Sequence, residues 1–226
     1  MRSGPTWFIA IETLGIISFA INAMIVAKSR NLSTLGVFLC AALTALGGGT
    51  LRDLLLGPEA LPFFWAAFPF YLVTIFAISF AYANLQGLRD VIGKRDVLIK
   101  ESAEAIALAS LGALGAAKTF NILGPGDGSL LSAAHLLILC ASLGAMSAAF
   151  GGILRDVVVN EFPAVLRPGV WMLEALFIGC LLLALLRMGG VPGPWALLWG
   201  FLVVLGIRAW VVVGAERRRR AALPAT

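Results

Sequence analysis

Seven stretches of this chain are apolar for close to the length that crosses a bilayer, and what separates them is too short to build anything else. They run from Trp7 to Ala27, Leu35 to Leu56, Phe63 to Leu85, Ala103 to Ala117, Leu131 to Val159, Val170 to Met188 and Trp195 to Gly214. A helical span needs roughly 20 apolar residues, so 226 residues are consumed by about seven spans and short loops. Only 13% of the residues are charged, against roughly a quarter in a soluble domain, and the mean hydropathy is +0.96. The expectation is an all-α polytopic membrane protein, one membrane domain over residues 1–226. The fourth run is the weakest: Glu101 and Glu104 crowd its start, Lys118 and Asn121 its end.

Gly57-Pro58, Gly124-Pro125-Gly126 and Val191-Pro192-Gly193-Pro194 punctuate the runs as short loops. The net charge of +5 and pI near 9.6 do not point to nucleic acid, because the basic residues lie between the runs and at the C-terminus, where they act as topology signals beside anionic lipid. One side of a seven-span chain receives Lys28, Arg30, Arg89, Lys94, Arg95, Lys100, Arg167 and Arg217 to Arg220. The other receives Arg2, Lys118 and Arg187. Basic residues are retained in the cytoplasm, which places the N-terminus outside and the C-terminus inside. Cys40, Cys140 and Cys180 all fall in apolar runs and suggest neither a disulfide nor a metal framework. The first run lacks a clear cleavage site and carries Glu12, so it reads as a retained helix and not as a signal peptide.

The chain repeats itself. Gly48-Gly49-Thr50-Leu51-Arg52-Asp53 matches Gly151-Gly152-Ile153-Leu154-Arg155-Asp156 at a constant offset of 103 residues. Each copy closes the second run of a three-run group, about residues 7–85 and 103–188. Three is odd, so the second copy enters the membrane inverted, an arrangement that puts a pathway near the midplane at the repeat interface. The seventh run, about 195–214, lies outside the duplication.

Glycine within a helix costs about 1 kcal/mol relative to alanine, so Gly47-Gly48-Gly49 is expected to kink or break the second helix. A break in hydrocarbon requires a polar interior beside it, and the carbonyls of Leu46 and Gly47 would then be placed to coordinate a monovalent cation. Arg52 and Asp53 project about 100° apart on a helix, so each is expected to pair elsewhere: Arg52 with Asp156, and Arg155 with Asp53, across the repeats. Burying these groups costs at least a few kcal/mol each unless they are paired. The plain alternative sets both motifs at the membrane surface as solvated helix ends.

Asn22, Ser147 and Lys118 are further polar candidates for the path, with helix-to-helix hydrogen bonding as the competing role for Asn22 and Ser147. Glu12 and Glu174 are pore or interfacial carboxylates, and His135 is interfacial. Arg208, in the last run, needs a partner or a snorkelling route. Gly112, Gly115 and Ala116, with Gly144 and Ala148, give small faces suited to a bundle or to a subunit interface. No nucleotide loop, zinc spacing or nucleophile elbow is present, so neither an enzyme nor an organic cofactor is expected.

The doubled motif, Gly47 to Asp53 and Gly151 to Asp156 followed by Pro163, resembles the signature of the prokaryotic trimeric intracellular cation (TRIC) channel family. Bacterial members of that family are often labelled as glycine-transporter domains. The resemblance covers nearly the whole chain. It implies seven transmembrane helices in a bacterial inner membrane, kinks in helices two and five, and a homotrimer with one pore per subunit that conducts potassium and sodium. It assigns the pore and kink positions to Gly47, Gly48, Gly49, Arg52, Asp53, Gly151, Gly152, Arg155 and Asp156. The label supplies the rival reading, a secondary transporter of glycine or another small amino acid. Phe150 stands where a third glycine is common, which implies a milder break or a narrower path at the second copy.

Overall fold

In a computed structural model of the chain, the described residues are 6–85, 96–124 and 129–221, without the side chains of 6, 61–67, 96–98 and 215–221. Arg2, Arg89, Lys94, Arg95, Pro125, Gly126 and the side chains of Arg217 to Arg220 therefore lie outside the described residues. The described residues form seven α-helices and one short 3-10 turn. The helices are α1 (Thr6–Ser29), α2 (Thr34–Leu56), α3 (Leu61–Asn84), α4 (Asp96–Leu123), α5 (Leu130–Val158), α6 (Met172–Met188) and α7 (Gly193–Ala221), with the turn at Ala164–Leu166.

Local chemistry sets the ends. Ser33 caps α2 by accepting from the Gly36 N–H at 3.2 Å, and Ser129 caps α5 by accepting from the Ser132 N–H at 3.1 Å. Gly57 ends α2 at φ 84°, and Gly190 follows α6 at φ 83°, backbone that a side chain disfavours. Buried hydroxyls fold back on their own helices: Thr44, Ser110 and Thr119 each donate to the carbonyl four residues earlier.

Five of the helices contain a stretch long and apolar enough to cross a membrane: Trp7–Ser29, Thr34–Leu56, Ile99–Leu123, Leu130–Val158 and Gly193–Gly214. α6 has 17 residues, and the described side chains of α3 give a shorter apolar segment, Phe68–Asn84.

The fourth helix departs from its sequence. The apolar run of 103–117 becomes a helix of 28 residues, and 78% of its most apolar window is buried, against 33% for α2 and α7. The weakest run is thus the hub of the bundle, packed on α1, α5, α6 and α7. Its flanking charges do not end it, because Glu104 and Lys118 find buried partners on other helices. The small faces of Gly112, Gly115, Ala116, Gly144 and Ala148 are used inside the chain. A Cβ on Gly115 would lie 2.8 Å from the Ser147 Cβ, and one on Gly144 would lie 2.7 Å from Cys180 Sγ. All three cysteines are buried and free, and the Cys180 thiol donates to the Gly112 carbonyl at 3.3 Å.

Helices at equivalent places in the two copies pack on each other, α1 on α4 and α2 on α5. α3 lies against α2 and α1 as α6 lies against α5 and α4, while α7 packs on α6 and α4.

Candidate functional site

The two motifs meet at one crossing. A Cβ on Gly48 would fall well inside 3.0 Å of the Ser147 carbonyl oxygen, and a Cβ on Gly151 equally close to the Thr44 carbonyl oxygen. Thr44 and Ser147 are equivalent positions, as are Gly48 and Gly151, so the contact is reciprocal. Rising residue numbers on α2 meet falling numbers on α5, so the helices cross antiparallel. At Gly48 and Gly151 the absence of a side chain lets the two backbones approach each other. The expected break is absent: α2 and α5 stay α-helical through Gly47-Gly48-Gly49 and Gly151-Gly152. The Leu46 and Gly47 carbonyls are accordingly not freed, and Leu46 also accepts the Thr50 hydroxyl at 2.8 Å. At Gly49 and Gly152 a Cβ meets no close neighbour.

One turn beyond the crossing on α2 lies the first charge cluster. Arg52 and Asp53 are 5% and 2% exposed, which rules out solvated helix ends. Arg52 Nε donates to Asp53 Oδ1 at 2.7 Å, and its Nη1 donates to the Ser147 hydroxyl at 3.1 Å. Lys118 Nζ, from α4, takes Asp53 Oδ2 at 2.7 Å and the Ala60 carbonyl at 3.3 Å. Glu12 of α1 accepts the Tyr71 hydroxyl at 2.9 Å. A cavity of about 40 Å³ opens here, bordered by Glu12, Gly49, Thr50, Asp53, Tyr71 and Ser147 among others, room for roughly two or three waters.

The second cluster lies beyond the crossing on α5. Arg155 Nε donates to Asp156 Oδ1 at 2.7 Å, while Nη1 is shared between Asn22 Oδ1 and Glu104 Oε1, the latter at 3.3 Å. Asp156 Oδ2 accepts the Ala164 N–H at 2.7 Å, which holds the 3-10 turn over the motif. The cavity here is only about 10 Å³, with Ala164, Val165 and Met172 in its wall. One motif thus receives a lysine and an open pocket, and its sequence twin receives a backbone N–H and a covered one. Phe150 is half-buried and borders neither cavity.

The expected cross-repeat pairs do not form. In the register set by the Gly48 and Gly151 contacts, Arg52 and Asp156 are thirteen residues apart, as are Arg155 and Asp53. That is roughly 20 Å along the axis at 1.5 Å per residue. Each arginine instead bends onto the aspartate that follows it, a pairing that the 100° between successive side chains does not prevent for a chain as long as arginine. Asn22, Ser147 and Lys118 are all in the clusters. Glu104 was legible only as a charge crowding a weak run, although a carboxylate inside an apolar span is itself a sign of function. Glu174 is exposed in the first turn of α6, and His135 is exposed on α5.

The ends of the bundle sort the basic residues. Arg30 pairs with Glu161, which Arg167 approaches at 3.8 Å, so the α1–α2 and α5–α6 loops share one end. Arg187 lies 5.1 Å over the Phe120 ring and contacts Asn121 at the other, near Lys118.

Apolar helices around a buried, duplicated set of charges define a multi-pass helical membrane protein of the channel or transporter type. The glycine transporter family model matches residues 9–86 and 128–188, each block holding one copy of the motif, and the chain belongs to that family. The UPF0126 membrane protein of Vibrio cholerae is 33% identical over 88% of this chain and 76% of its own length. The UPF0126 inner membrane protein YadS of Escherichia coli is 28% identical over 88% of both chains. Among solved structures, the TRIC trimeric intracellular cation channel orthologue from Rhodobacter sphaeroides superposes with a TM-score of 0.78 at 27% identity, over 93% of this chain and all of that one. A structure described as the basis for conductance through TRIC cation channels superposes with a TM-score of 0.72 at 28% identity, over 92% and 93%.

Proposed function

We propose that this chain is a channel for monovalent cations, potassium and sodium, which works as a homotrimer with one pore in each subunit between α2 and α5. The observation that carries the reading is the pair of cavities, one on each side of the Gly48–Gly151 crossing and each bordered by an Arg-Asp motif. An ion would pass from the larger cavity along the crossing to the smaller. In the first cluster the formal charges of Arg52 and Lys118 are matched by Asp53 and Glu12, so the walls offer oxygen ligands from Glu12, Thr50 and Ser147 without net repulsion of a cation. The likeness to solved cation channels supports the same reading.

The reciprocal contacts and the packing of α1 on α4 and α2 on α5 favour two inverted three-helix repeats, about 7–85 and 103–188, with all seven helices spanning. The grouping of Arg30 and Arg167 at one end favours the cytoplasm for that end. The N-terminus is then outside, the C-terminus inside, and the covered cavity faces the cytoplasm of a bacterial cell.

The family's description favours a glycine carrier as the second reading. Against it, both oxygens of Asp53 and the Nε and Nη1 of Arg52 are already engaged, and a space for two or three waters is small for a zwitterion. The test is planar-bilayer recording of purified protein beside radiolabelled glycine uptake into liposomes. Unitary potassium currents without glycine flux are expected. Saturable, gradient-coupled glycine uptake without unitary currents would establish the carrier.

A further inference from the structure

Arg208 sits on α7, outside the duplicated part of the chain, and is 1% exposed. Its one hydrogen bond among the described residues goes from Nη1 to the Val170 carbonyl at 2.8 Å. Its Nη2 lies 3.6 Å from Glu104 Oε2 and 3.7 Å from Glu101 Oε2, and its Nε has no partner among the described residues. Those two separations exceed hydrogen-bond length. Arg208 is therefore fastened by Val170 and presented as a charge midway between two carboxylates. Glu104, 6% exposed, reaches the other way, with Oε1 on Arg155 and its side chain in the wall of the covered cavity.

An apolar side chain would fill the same slot on α7 without burying a charge, and a neutral donor would suffice for the Val170 carbonyl. An ionisable group kept inside a membrane bundle at this cost calls for a use of its charge. Around the second motif the formal charges are Arg155, Arg208 and Lys100, the last beside Glu101, against Glu104, Asp156 and Glu101. Without Arg208, Arg155 and Lys100 face three carboxylates.

We infer that Arg208 is a positioning residue for the ion path: it holds Glu104 back and offsets its charge, and so sets the cation-over-anion selectivity at the Arg155 end. This rests on the channel reading above. The experiment is the reversal potential under a potassium chloride gradient, in lipid bilayers, for wild type, Arg208→Gln, Arg208→Lys, Glu104→Gln and the double variant Glu104→Gln/Arg208→Gln. Arg208→Gln is expected to raise the potassium-to-chloride permeability ratio at least severalfold, because removing one buried positive charge favours the cation and disfavours the anion by equal amounts. Glu104→Gln is expected to lower the ratio, while the double variant and Arg208→Lys return it to the wild-type value. A folded Arg208→Gln channel with an unchanged ratio would show that Arg208 merely fastens α7, and would overturn the inference. Should Arg208→Gln fail to fold, the double variant decides: a ratio equal to that of Glu104→Gln alone overturns the inference as well. Absence of any wild-type cation current would overturn the channel reading itself, a separate result.

Discussion

Asp53→Asn is expected to destabilise the protein by about 3–5 kcal/mol, the cost of removing one partner from a buried pair, and to cut the single-channel current by at least severalfold. The substitution leaves Arg52 and Lys118 as two buried cations with Glu12 as the nearest carboxylate, and it does so in the wall of the larger cavity. Asp156→Asn, at the matching position of the second copy, is expected to cost only about 1–3 kcal/mol. An asparagine can still accept the Ala164 N–H, and Arg155 keeps Glu104. Thermal unfolding in detergent or nanodiscs measures the difference. Adding Lys118→Gln to Asp53→Asn is expected to recover at least half of the loss, because the two substitutions act on one pair. Equal costs for the two aspartates, or no recovery, would mean that the local surroundings described for each motif do not govern its energetics.

The second large effect belongs to the crossing. Gly48→Ala and Gly151→Ala are each expected to cost about 1–3 kcal/mol, since each places a methyl group against backbone, which cannot swing aside as a side chain does. The pair together is expected to cost less than the sum, because the separation of α2 and α5 forced by one methyl makes room for the other. Gly49→Ala and Gly152→Ala are the controls. Both positions are open, so alanine is expected to be neutral or to add up to about 1 kcal/mol through helix propensity. Four glycines that look alike in the sequence thus separate into two classes by melting temperature. A uniform response would mean that they serve flexibility and not contact.

That contrast also marks how far the sequence could be read. The duplicated motif and its offset of 103 residues pointed straight at the crossing, because the positions that meet, Gly48 with Ser147 and Gly151 with Thr44, are repeat equivalents. The apolar runs gave the helices in order, with ends within a few residues except at the C-terminal end of α7 and at both ends of α4. Its extent was hidden because Glu104 and Lys118 read locally as breaks in an apolar pattern, whereas their partners, Arg155 and Asp53, lie 51 and 65 residues away. The pairing within each motif was missed for a related reason. Angular separation on a helix describes where side chains leave the backbone, and arginine is long enough to fold back over its neighbour. Arg208 had no assignable role until α7 was seen to bring it to α4. The inequality of the two motifs was not legible at all, since it depends on a lysine from α4 at one and a backbone N–H from a loop at the other.

The path itself is tested most directly by cysteine accessibility during bilayer recording. Thr50→Cys borders the larger cavity, Leu139→Cys faces outward from α5, and the native Cys40, Cys140 and Cys180 are buried. A small, charged, water-soluble thiol reagent is expected to block the potassium current through Thr50→Cys and to leave Leu139→Cys and wild type unchanged. Unblocked current through a demonstrably labelled Thr50→Cys would place the ions somewhere other than between α2 and α5.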